Sequence, residues 1–82
     1  MPELEIRLFA SLRELAGAET IRVSLDRDAT AADLLAKAGL LYPDLASALR
    51  SVVVAVDRRI VAPSDPVPPL SEVAFLPPVS GG

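Results

Sequence analysis

Only one stretch of this chain forms a helix long enough to cover a sheet, and that fixes the class of fold. Within residues 30–39, Ala31, Leu34, Leu35 and Ala38 recur at helical spacing and make one apolar stripe. Thr30 stands where an N-cap is needed, Asp33 substitutes for the usual glutamate three positions on, and Gly39 offers a stop. Around this helix the apolar pattern has period two. Leu4, Ile6 and Leu8 alternate with Glu3, Glu5 and Arg7, and Ile21, Val23 and Leu25 alternate with Arg22, Ser24 and Asp26. Each run reads as a strand with one dry and one wet face. A single substantial helix among several strands predicts an α+β domain, the helix packed on one face of a mixed four- to five-stranded sheet.

The connections refine that expectation. Leu12, Leu15 and Ala16 predict a short helix, with Ser11 as its cap, Glu14 three residues on and Gly17 as its stop. The first two strands are then an antiparallel hairpin whose connection has gained a helical turn. After the main helix, residues 43–50 predict one or two further turns, with Pro43 near the first helical position and Leu45, Ala48 and Leu49 facing inward. Residues 52–56, all Val or Ala, are apolar on both faces and read as a central strand. A turn at Asp57, Arg58 and Arg59 leads to a short strand from Ile60, and Pro63, Pro66, Pro68 and Pro69 fix an irregular loop before the last strand at 72–76. An antiparallel pair, a crossover helix and then a buried strand is the β-grasp, or ubiquitin-like, order. Residues 1–76 form that domain and residues 77–82 an extended tail.

Composition excludes several function classes. The chain has 82 residues, 51% of them apolar and 23% charged, which a disordered segment does not show. A net charge of −3 and a pI near 4.7 argue against nucleic acid as a partner. No apolar run reaches the ~18 residues of a membrane helix, and the first residues lack the pattern of a signal peptide, so the expected location is the cytoplasm. There is no Cys, His, Trp, Asn or Gln. Thiolate nucleophiles, zinc–thiolate sites and imidazole bases are therefore missing, and catalysis by the chain alone is not expected. Asp57 and Asp65 lack the spacing of metal ligands. Seven of the eight basic residues are Arg, and Lys37 is the only Lys.

The sequence closes on Leu76-Pro77-Pro78-Val79-Ser80-Gly81-Gly82, and two of only four glycines are its last residues. At ~7% average glycine usage a chance Gly-Gly end has a probability of roughly 0.5%. Pro77 and Pro78 are stiff and extended, so they project the tail away from the sheet. Residues 78–82 span up to ~17 Å, and two residues without Cβ make the thinnest possible tip, suited to a narrow site on another protein. The terminal carboxylate is ionised at neutral pH and a poor electrophile. A partner must activate it, most simply as an acyl adenylate from ATP. Sulfur then yields a thiocarboxylate, or an amine yields an amide.

Three segments carry a resemblance over essentially the whole chain. They are residues 9–17 (FASLRELAG), residues 55–57 (AVD) and residues 72–82 (EVAFLPPVSGG). Together they resemble the MoaD family, the small ubiquitin-like subunits of molybdopterin synthase. The resemblance implies a β-grasp fold and a thiocarboxylate on Gly82. It implies activation by a MoeB-like adenylating enzyme that uses ATP and magnesium, with sulfur from a donor system and no cofactor bound by this chain itself. It also implies a hetero-oligomer with a MoaE-like large subunit, which passes the sulfur to a pterin precursor. Two departures stand out: Asp57 replaces the usual Asn, and the turn at Pro69-Leu70-Ser71 before Glu72 is about two residues shorter than the family's. A sulfur carrier for thiamine, thionucleoside or amino-acid synthesis, and a ubiquitin-like modifier of protein lysines, remain alternative readings.

Side-chain parity then locates a docking surface. If Leu4, Ile6 and Leu8 face the core, Phe9 falls on the opposite face. If Val73 and Phe75 face in, Ala74 and Leu76 face out. Phe9, Ile60 and Leu76 are expected to form an exposed apolar patch at the root of the tail, and such patches mark protein contacts. The resemblance adds Arg13 as a partner contact.

Overall fold

The computed structural model describes residues 3–77. The chain runs β1 (Glu3–Leu8), α1 (Ser11–Ala16), β2 (Thr20–Ser24), α2 (Ala31–Leu41), 3-10 turns at Pro43–Leu45 and Ala48–Arg50, then β3 (Val53–Val56), β4 (Arg59–Val61) and β5 (Val73–Leu76). The five strands form one sheet in the order β2-β1-β5-β3-β4. The pairs β1–β2, β3–β4 and β3–β5 are antiparallel, whereas β1 and β5 run parallel. This is the β-grasp arrangement expected, and the last strand of the chain lies at its centre.

Burial follows the period-two pattern without exception in β1, where Leu4, Ile6 and Leu8 are buried and Glu3, Glu5 and Arg7 exposed. Val54 and Val56 of β3 and Val73 and Phe75 of β5 extend the dry face. Ala31, Leu34 and Ala38 of α2 close over it, together with Leu12, Leu45, Leu49 and Val67. No polar side chain is buried among the described residues, so apolar contact alone builds the core.

The start of α2 is fully capped. Asp33 N–H donates to Thr30 Oγ1 (3.2 Å), and Thr30 N–H donates to Asp33 Oδ2 (2.9 Å), which is the reciprocal capping box. The two remaining free donors of the first turn find the proline loop: Ala31 N–H reaches the Asp65 carbonyl and Ala32 N–H the Pro63 carbonyl, both at 2.9 Å. Val67, buried and hydrogen-bonded to the Ala29 carbonyl at 2.9 Å, anchors the same loop. The loop thus holds the Pro63 and Asp65 carbonyls over the start of the helix.

Two expected caps differ. Ser11 is the first residue of α1 rather than its cap; Ala10, at φ 49°, occupies that place without a side-chain bond. The N–H groups of Leu12 and Arg13 instead reach the carbonyls of Phe9 and Ala10 at 3.1 Å. Gly39 does not end α2. The helix continues to Leu41, and Tyr42 caps it with an N–H bond to the Ala38 carbonyl. The added turn lets the Tyr42 hydroxyl bond both the N–H (3.3 Å) and the carbonyl (3.2 Å) of Arg22 on the edge strand β2, where unpaired backbone otherwise invites another strand. Gly17 does end α1, in the left-handed conformation at φ 69°.

Candidate functional site

The helix covers one face of the sheet, and the other face is open. Strand register reads out its composition. Arg7 lies opposite Thr20 and Ala74, Ala74 opposite Ala55, and Ala55 opposite Ile60. One row therefore crosses all five strands and passes from polar to apolar. The β2–β1 half is charged: Arg22 approaches Glu3 at 3.7 Å and Glu5 at 3.8 Å, all three well exposed. The β5–β3–β4 half is apolar.

Ala55 and Ala74 stand side by side with larger neighbours around them, and small residues flanked by large ones make a depression. It measures about 450 Å³ and is lined by Phe9, Ile60 and Leu76 together with Arg7, Arg58 and Glu72. Phe9 is 39% exposed and Ile60 74%, while Leu76 is half-buried. The Arg7 guanidinium lies 5.9 Å from the centre of the Phe9 ring, a cation–π distance that holds both walls at one end. Glu72 precedes β5 and Leu76 ends it, so the trough follows β5 to the residue before Pro77.

The far rim is tied to the β3–β4 turn. Asp57 and Arg58 both have positive φ, at 51° and 68°, as a two-residue hairpin turn requires. Asp57 Oδ1 accepts the Glu72 N–H (2.9 Å), and the Asp57 N–H donates to the Glu72 carbonyl (2.7 Å). Arg58 Nε lies 3.6 Å from Glu72 Oε1. Asp57 thus supplies an acceptor that locks the turn onto the start of β5. The loop beside it closes on itself, with the Ser71 hydroxyl donating to the Pro68 carbonyl at 2.6 Å. Leu70 is left at φ 66° and 95% exposed.

Sequence parity brought Phe9, Ile60 and Leu76 to one surface, and the structure places them around one trough. Arg13 lies elsewhere. It is an exposed residue of α1, 3.8 Å from Glu19, and shares a neighbouring cleft with Phe9. Pro77 is half-buried at the end of β5, whereas Pro78, Val79, Ser80, Gly81 and Gly82 lie outside the described residues. The alanine floor and the Arg7, Arg58 and Glu72 rim went unread in the sequence. The usable signal was small residues at facing positions of two strands, but it requires knowing that β3 and β5 are neighbours.

Among the described residues no cluster of His, Cys, Asp or Glu is placed to hold a metal ion, and no helix is long and apolar enough to cross a membrane. What the face offers is exposed apolar area beside the strand that leads to the tail, which is the make-up of a protein-docking surface.

Residues 6–82 match the ThiS family. The chain belongs to the ThiS family. It is 32% identical to the molybdopterin synthase sulfur carrier subunit of Dictyostelium discoideum, over 98% of this chain and 96% of that one. The crystal structure of small archaeal modifier protein 1 from Haloferax volcanii superposes with a TM-score of 0.85 at 31% identity, covering 96% of this chain and 100% of the other. The fold is shared, at a TM-score of 0.67 and 21% identity, with the complex of subunits 1 and 2 of the molybdopterin-converting factor from Helicobacter pylori, matched over 98% of this chain and 99% of that one.

Proposed function

We propose that this chain is a sulfur carrier, the small subunit of a molybdopterin synthase. A MoeB-like enzyme adenylates the Gly82 carboxylate with ATP and magnesium, and a sulfur donor system converts the adenylate to a thiocarboxylate. The loaded chain docks on a MoaE-like large subunit as a hetero-oligomer in the cytoplasm and gives its sulfur to the pterin precursor. The observation that carries this reading is the apolar trough along β5, which ends where the tail begins. A surface in that place lets a partner grip the domain while the thin Gly81-Gly82 tip enters its active site. The Dictyostelium relative supports the pathway.

The likeness to the archaeal modifier favours a second reading on the same chemistry, in which a lysine amine takes the activated glycine and forms an isopeptide. Reconstitution separates the two. With ATP, magnesium, the adenylating enzyme and a sulfur source, the chain gains a thiocarboxylate, and adding the large subunit moves that sulfur to the pterin precursor. Transfer of Gly82 to protein lysines, with no sulfur delivered, establishes the second reading instead.

A further inference from the structure

The proposed activation leaves an acyl adenylate on Gly82, which any neutral amine or thiolate in reach attacks. The chain is nearly free of such groups. It has no Cys and no His, and seven of its eight basic side chains are guanidinium groups, which stay protonated and do not attack. Lys37 Nζ is its only side-chain amine.

The position of Lys37 is as informative as its solitude. It lies half-exposed on α2 and lines an open groove of about 560 Å³ with Ser24, Asp26, Asp28 and Asp33. Asp33 is engaged in the helix cap, and no ion pair within 4.0 Å holds Lys37 among the described residues. Register places this groove far from the tail. Ser24 pairs with Glu3 at one end of β1, and Phe75 pairs with Leu8 at the other. Five strand residues at ~3.3 Å each separate the two ends by about 17 Å. The Lys37 groove thus stands at the opposite end of the sheet from Leu76 and Pro77, the last of the described residues. A second copy, free to diffuse, is held by no such separation.

We infer that Lys37 is the acceptor at which one copy of this chain takes the activated Gly82 of another, giving conjugates with a single kind of linkage. The inference rests on the proposed activation of Gly82. The Lys37 amine attacks the Gly82 carbonyl carbon, a C–N bond forms, and the bond from that carbon to the AMP oxygen breaks. AMP leaves with the electron pair, and the amine proton passes to water. Each copy has one donor carboxyl and one acceptor side chain, so longer products are unbranched.

The test is to incubate the untagged chain with its adenylating enzyme, ATP and magnesium, without a sulfur source, and to follow pyrophosphate exchange alongside intact mass. The expected product has the mass of two copies less one water. Trypsin, which cuts after Arg59, leaves residues 60–82 attached to the peptide containing Lys37. Lys37→Arg keeps the charge and removes the nucleophile. It is expected to abolish the conjugate, with pyrophosphate exchange and thermal melt unchanged. Exchange without any conjugate overturns the inference and leaves the function reading standing. So does a conjugate that persists in Lys37→Arg, or one mapped to an α-amine or a hydroxyl. Absence of exchange defeats the function reading and this inference with it.

Discussion

Replacing Ile60 separates a docking role from a folding role more cleanly than any other position in the trough. The side chain is 74% exposed in the isolated chain. Full burial of an isoleucine is worth ~1.5–3 kcal/mol, so the domain draws only about a quarter of that, less than ~0.8 kcal/mol, from Ile60. The remaining three quarters, ~1–2 kcal/mol, is available to a partner that covers the trough. Ile60→Ala is therefore expected to weaken binding by roughly 5- to 30-fold. Ile60→Asp adds the cost of burying an unpaired carboxylate, several kcal/mol, and binding falls by about a thousandfold or more. Ile6, with 0% exposure, is the control: Ile6→Ala is expected to cost ~2–5 kcal/mol of stability through a core cavity. The assay is isothermal titration against the large synthase subunit, with denaturant melts of each variant. Undiminished binding by Ile60→Asp refutes the docking argument. A melt of Ile60→Ala that drops as far as that of Ile6→Ala refutes the burial argument.

Deleting Gly82 is expected to abolish sulfur acceptance and leave the melt unchanged, because among the described residues the buried core runs from Leu4 to Phe75; mass spectrometry after reconstitution and calorimetry check the two halves. Gly81→Val widens the tip and restricts its backbone, so pyrophosphate exchange with the adenylating enzyme is expected to fall while stability holds. Thr30→Ala removes the hydroxyl that accepts the Asp33 N–H and is expected to cost ~0.5–2 kcal/mol in urea melts, with sulfur transfer in the folded protein unchanged.

Local rules reached most of this fold. Alternation in Leu4, Ile6 and Leu8 and the stripe through Ala31, Leu34 and Ala38 are one-dimensional signals, and burial respects both. The Thr30–Asp33 cap was legible because its partners are three residues apart. Ser11 and Gly39 misled because a neighbouring carbonyl can replace a cap, and a tertiary contact such as that of Tyr42 with Arg22 can prolong a helix. The open apolar face was half legible. Parity put Phe9 and Leu76 outside and the turn put Ile60 near them, but the floor requires Ala55 of β3 beside Ala74 of β5. That adjacency arises from β5 inserting between β1 and β3, a long-range event that no window of sequence contains. The proline loop is the same case: its prolines mark irregularity, and only the fold shows the Pro63 and Asp65 carbonyls meeting the start of α2.

The proposed working group of this protein is the Gly82 carboxylate. Its most direct test is the intact mass of the chain purified without a C-terminal tag from cells making molybdopterin, followed by fragmentation. The expected result is a population in which one oxygen is replaced by sulfur, with the gain mapped to Gly82. Mapping matters because a sulfoxide on Met1, the only methionine, has nearly the same mass. Sulfur on Gly82 that disappears on incubation with the large subunit and the pterin precursor completes the account. A chain that stays a plain carboxylate in those cells, and after incubation with ATP, magnesium, the adenylating enzyme and a sulfur source, contradicts it.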